Sequence, residues 1–120
     1  MEKLTKKEDE IMQVVWRRQK VFIREIIEDL PAPKPHYNTI ATLVKILVKK
    51  GFLQAEKIGN THQYSPVVKL DDYRDKTLKD IKKKYFDNSF QNMLTHFARK
   101  ENFSESEIEE LMNIIKSKKS

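Results

Sequence analysis

The sequence predicts a mostly α-helical chain with one small β-hairpin, and three observations lead there. Apolar residues recur at helical spacing in three segments before residue 50. The two glycines, Gly51 and Gly59, then punctuate a pair of short strand-like runs. From Leu70 onward helical periodicity returns, with no glycine and no strand signal.

Thr5 and Glu8 have the spacing of a capping box, in which each side chain accepts from the other residue's orphan backbone N–H. Ile11, Met12, Val15 and Trp16 then fall on one helical face. A shorter helix follows Val21-Phe22, with Ile23, Ile26, Ile27 and Leu30 inward, and Pro31, Pro33 and Pro35 stop it and hold the chain extended. The third helix is the most regular: Ile40, Leu43, Val44, Leu47 and Val48 stand at i, i+3, i+4, i+7 and i+8. Its opposite face carries Asn38, Thr42, Lys45 and Lys49, flanked by Ala41 and Ile46, and holds no acid.

Lys49-Lys50-Gly51 is a helix ending: cations in the last turn, then a residue that tolerates positive φ. Gly59-Asn60 lies between runs 52–58 and 61–65 and reads as a tight hairpin turn, flanked by Lys57 and His62 and closed off by Pro66. In the second half, Leu70, Tyr73, Thr77, Leu78, Ile81 and Tyr85 line a long helix that Asp87-Asn88-Ser89 breaks. Phe90, Met93, Leu94, Phe97 and Ala98 line the next. Ser104 with Glu107 opens a last helix through Ile108, Leu111, Met112, Ile114 and Ile115, and the tail from Lys116 to Ser120 is expected to fray.

The chain has 120 residues, which suits one domain or a small domain with an appendage. No stretch approaches the ~20 apolar residues that span a bilayer, Met1-Glu2-Lys3 does not open a signal peptide, and cysteine is absent. A cytoplasmic protein is the expectation. The net charge of +6 is uneven: residues 1–69 carry 13 Lys/Arg against 8 Asp/Glu, residues 70–120 carry 11 against 10. A basic excess in one half is the footprint of a polyanionic partner.

Three helices followed by a hairpin is the order of a winged helix-turn-helix, whose third helix enters the major groove while the hairpin meets the neighbouring backbone. On that reading residues 1–69 form a DNA-binding domain. Lys45 and Lys49 neutralise phosphates, Asn38 and Thr42 hydrogen-bond base edges, and Ala41 and Ile46 offer methyls to thymine. Lys57, Asn60 and His62 are the hairpin's contacts. No arginine lies between Arg24 and Arg74, so readout is expected to lean on A·T pairs and shape. Residues 70–120 form a helical dimerisation region. Its apolar positions Leu70, Tyr73, Ile81, Phe90, Met93, Leu94, Phe97, Ile108, Leu111 and Ile115 are too many for three helices with no layer beneath them.

The run Asn38-Thr39-Ile40-Ala41-Thr42-Leu43-Val44-Lys45-Ile46-Leu47-Val48-Lys49-Lys50-Gly51-Phe52-Leu53 resembles the recognition helix of the penicillinase-repressor family (the BlaI/MecI/CopY group). That family's pattern is Thr-x-x-Thr-Leu-x-x-Arg-Leu-x-x-Lys-Gly. Residues 4–16 resemble its opening helix, Tyr64-Ser65-Pro66 its second wing strand and Ile108-Glu109-Glu110-Leu111 its final helix. The resemblance implies a homodimeric transcriptional repressor on an inverted-repeat operator, with Thr39, Thr42 and Lys49 at the DNA. Ile46 departs from the family's arginine, and the lack of cysteine removes the metal-binding tail of the copper-responsive branch. The antibiotic-resistance branch is inactivated by a membrane sensor-protease that cuts an Asn-Phe bond. Alignment places His96-Phe97 at that bond, and an Asn102-Phe103 pair follows.

An enzyme is not expected. His36, His62 and His96 lack metal-ligand spacing, no nucleophile or phosphate-loop motif occurs, and no cofactor is implied. The rival function is a winged helix that binds protein or RNA. It differs from a DNA reader in lacking a steep salt dependence on duplex DNA.

Overall fold

Helix α1 (Lys6–Arg18) starts where the capping box places it. Thr5 Oγ1 accepts from the Glu8 N–H at 3.2 Å, and the Glu8 carboxylate accepts from the Thr5 N–H at 2.9 Å. These come from a computed structural model that describes residues 2–118. Ile11, Met12, Val14, Val15 and Trp16 of α1 are buried. Helix α2 (Ile23–Asp29) is held at its start by Glu25, whose carboxylate accepts from the Phe22 N–H at 2.9 Å.

Helix α3 (Tyr37–Lys49) buries Ile40, Val44 and Leu47. Its apolar stripe is narrower than the sequence spacing predicts, because Leu43 is half-buried and Val48 exposed. The helix closes on Gly51 at φ +85°, with the Phe52 N–H on the Leu47 carbonyl at 2.9 Å and the Gly51 N–H on Val48 at 3.1 Å. This is a Schellman ending, and its apolar pair, Leu47 and Phe52, is fully buried.

Strands β1 (Leu53–Ile58) and β2 (Thr61–Pro66) pair antiparallel, from Leu53↔Pro66 to Ile58↔Thr61. Gly59 has φ +62° and Asn60 is not in the positive-φ region, the pattern of a type II′ turn. Val21 adds a third edge that the sequence does not announce: its N–H and carbonyl both bond Tyr64, at 2.9 and 2.7 Å. The element order and the hairpin make this part a winged helix-turn-helix.

The chain divides into a unit of Met1–Arg74 and a unit of Asp75–Ser120, so the first extends beyond the expected boundary at residue 69. Leu70 and Tyr73 are two of the residues expected at the dimer contact. Both pack against the core of the first unit, the Tyr73 ring 5.4 Å from Trp16 and 5.8 Å from Phe52. The Leu4 N–H donates to the Tyr73 hydroxyl at 3.4 Å, and Trp16 Nε1 donates to the Val68 carbonyl at 2.9 Å. Large aromatics close a small core that three short helices leave open.

Helix α4 (Leu70–Tyr85) begins in the first unit and ends in the second. Asp87 and Asn88, at φ +51° and +59°, break the helical run there, and Ser89 caps α5 (Phe90–Lys100) by accepting from the Asn92 N–H at 3.0 Å. Ser104 and Glu107 form the expected second capping box, at 3.1 and 3.2 Å, and α6 (Glu105–Lys118) follows. Residues 116–118 are thus helical rather than frayed, and Lys119 and Ser120 lie outside the described residues. Among the described residues no helix is long and apolar enough to cross a membrane.

Candidate nucleic-acid interface

The recognition face of α3 emerges from a helix pinned on its other side. With Ile40, Val44 and Leu47 in the core, Asn38, Thr39, Thr42, Lys45, Ile46 and Lys49 are all exposed. Ala41 is half-buried against the core, so its methyl is only partly open to a thymine. Thr42 is specialised by its own helix: its hydroxyl donates to the Asn38 carbonyl at 2.9 Å. With the proton committed, the oxygen's lone pairs face outward as acceptors, which suits a base-edge donor such as adenine N6.

The start of α3 is fixed by a residue that no sequence signal announces, His36. It is the N-cap of α3, and its Nδ1 accepts from the Asn38 N–H at 3.1 Å. Serine, threonine, aspartate and asparagine are the usual N-cap signals, so a histidine in a proline-rich loop gives little warning.

The hairpin sets Lys57 opposite His62, with Asn60 in the turn, and all three are exposed. The His62 ring lies 6.4 Å from Tyr64, the strand residue that anchors the hairpin to Val21.

Ion pairing separates the structural charges from the free ones. Lys50 is bound to buried Glu8 at 2.7 Å. Burial raises a carboxyl's pKa, but hydrogen bonds from Lys50 and Thr5 outweigh it and hold Glu8 below its ordinary value. Arg17 and Arg18 are tied to Asp29 at 3.2 and 2.8 Å, and Arg18 also meets Glu25 at 3.1 Å. The hydrogen bonds from Arg18 and Arg17 keep the Asp29 carboxyl well below the usual carboxylate range. Lys45, Lys49 and Lys57 have no acidic partner among the described residues. Their charge is available to an outside anion.

In the second unit the predicted apolar residues are present and poorly covered. No described side chain from 75 to 117 is buried. Ile81, Phe90, Leu94, Phe97, Ile108, Leu111 and Ile115 are exposed, Phe90 at 58% and Phe97 at 53%, while Met93 is half-buried. Phe97 and Phe103 are in ring contact at 5.7 Å, and Phe86 and His96 at 5.5 Å. Leu94, Ala98, Phe103, Ile108, Leu111 and Ile115 line one groove.

Comparison with known proteins is consistent with this geometry. Residues 4–117 match the family model described as Penicillinase repressor. The methicillin resistance regulatory protein MecI of Staphylococcus aureus (strain N315) is 34% identical over 110 residues, covering 91% of this chain and 89% of that protein. The penicillinase repressor of Staphylococcus aureus is 31% identical over 107 residues, covering 88% and 85%. The solution structure of Bacillus licheniformis BlaI, in its monomeric form in complex with the blaP half-operator, superposes with a TM-score of 0.50 at 30% identity. It covers 60% of this chain and 89% of that one.

Proposed function

The chain belongs to the penicillinase repressor family, and from that premise we propose that it is a transcriptional repressor. It binds an inverted-repeat operator in duplex DNA, using α3 in the major groove and the hairpin on the flanking backbone. The observation that carries this reading is the exposed, acid-free stripe of Asn38, Thr42, Lys45 and Lys49, whose two lysines lack an acidic partner among the described residues. Such a face contributes charge for the backbone and uncharged hydrogen-bonding groups for base edges. The role is regulatory rather than catalytic, and it is exercised in the cytoplasm.

The repressor acts as a homodimer built by the second unit. Three helices with no buried side chain among residues 75–117 leave their apolar surface in water, and a second copy covers it. Two linked reading heads then match an inverted repeat. The test is titration of a labelled palindromic duplex across salt concentrations, beside an RNA hairpin of equal length. Binding to the duplex that weakens steeply with salt supports the reading; salt-insensitive binding, or a preference for RNA, overturns it.

A membrane sensor-protease is the proposed partner that ends repression. His96-Phe97 lies inside α5, where cleavage requires unwinding, whereas Asn102-Phe103 lies in the connection between α5 and α6. A cut there detaches α6 with Ile108, Leu111 and Ile115. Mass spectrometry of derepressed cells checks it: a fragment ending at Asn102 is expected, and an intact chain under full derepression rules cleavage out.

A further inference from the structure

One hollow in the first unit draws its wall from three elements that are distant in sequence. Arg24 of α2, Tyr37 at the start of α3 and Thr61 at the start of β2 all line it. The Arg24 guanidinium has no acidic partner among the described residues, in contrast to Arg17 and Arg18. Neither the Tyr37 nor the Thr61 hydroxyl has a hydrogen-bond partner there, and Tyr37 is 50% exposed. Three residues whose donors are unengaged thus line one concavity.

Two acids share the wall, Glu25 and Glu28. Glu25 is engaged on both oxygens, by the Phe22 N–H at 2.9 Å and by Arg18 at 3.1 Å. Glu28 stands 3.9 Å from Arg18 and is well exposed. Arg24 is therefore the cation of the hollow with no acidic partner among the described residues, and Glu28, held by Arg18 only at 3.9 Å, is the carboxylate that opposes an anion there.

We propose that this hollow seats a backbone phosphate of bound duplex DNA. The guanidinium fork takes the two non-bridging oxygens, and the Tyr37 and Thr61 hydroxyls donate to them. The occupant follows from position, since the hollow joins the head of α3 to the base of the hairpin turn. A strand running between a helix in the major groove and a wing on the adjacent backbone passes that place. The arginine that α3 and the hairpin lack is supplied by α2. This rests on the DNA-binding reading above and adds contacts to it.

The test needs no operator, because phosphate contacts do not depend on sequence. Affinity of the full chain for a labelled random-sequence duplex is measured between 50 and 200 mM salt, concentrations over which one phosphate contact changes affinity by roughly threefold. Arg24→Gln should weaken binding and lower the salt slope by about 0.9, one phosphate's worth, with the thermal midpoint unchanged. Arg24→Lys should keep the slope, Tyr37→Phe should weaken binding without altering it, and Glu28→Gln should tighten binding. Arg24→Gln indistinguishable from wild type, while Lys49→Ala lowers affinity and slope, would overturn the hollow alone. If the wild type itself shows no salt-dependent binding, the DNA reading fails with it.

Discussion

Thr42 and Lys49 sit on one stripe of α3, and the proposed function gives them different work. Lys49 carries an exposed charge with no acidic partner among the described residues, so Lys49→Ala should weaken all duplexes alike and reduce the salt slope by about one phosphate. Thr42 presents a fixed acceptor. Thr42→Ala should cost roughly 1–3 kcal/mol on the preferred site and little on random DNA, as competition titrations will show. Alanine favours the helix more than threonine, so such a loss is not a melted α3. Glu8 supports both from behind, since it joins the start of α1 to Lys50 at the end of α3. Its pKa is lowered on folding, so its contribution is present above the ordinary carboxylate value of about 4.3 and is lost as pH falls through the lower folded value. Glu8→Gln should therefore cost about 1–3 kcal/mol at neutral pH. In urea titrations the gap from wild type should close below about pH 4.3; a gap that persists at lower pH contradicts the ion-pair assignment.

At the scale of elements, endings matter more than interiors. α3 can turn into β1 because Gly51 adopts φ +85° and releases the N–H of Phe52 to cap Leu47. Nothing lies within 4 Å of a Cβ added at Gly51, so the penalty of substitution is purely conformational. Gly51→Ala should cost about 1–2 kcal/mol and lower the thermal midpoint. Because it displaces the joint between recognition helix and hairpin, it should also weaken DNA binding in a folded sample. Capping boxes, the glycine turn and the Asp87-Asn88-Ser89 break were legible because each depends on residues within a few positions of one another. The Val21–Tyr64 bridge was not legible, since its hydrogen bonds are backbone to backbone and any pair of residues can make them.

On the scale of the whole molecule, the two units contrast in how far each is complete. Residues 1–74 have a closed core, with Met12, Val15, Val21, Ile26, Val44, Leu47 and Phe52 all fully buried. Residues 75–117 have no buried side chain. The fragment 1–74 should therefore fold and sediment as a monomer while the full chain sediments as a dimer. The fragment should also bind a palindromic duplex far more weakly, having lost the linkage between half-sites. Equal affinity of fragment and full chain would remove dimerisation from the mechanism.

By itself the sequence determined the succession of elements, the polar stripe of α3 and the surplus of apolar residues from position 70 onward. All three are periodic or local signals, written by residues a turn or two apart. Tertiary structure decided which charges are free and which residues belong to which core. Lys49 and Lys50 are neighbours of the same type, yet one is exposed with no acidic partner among the described residues and the other is bound to a carboxylate 42 positions away. Tyr73 falls on the same helical stripe as Ile81, but Trp16 and Phe52 claim it for the first unit. Arg24, Tyr37 and Thr61 meet in one hollow only after three elements have packed. The reason is common to all of these: pairing and burial depend on distances through space, and a linear pattern carries no record of residues brought together by folding.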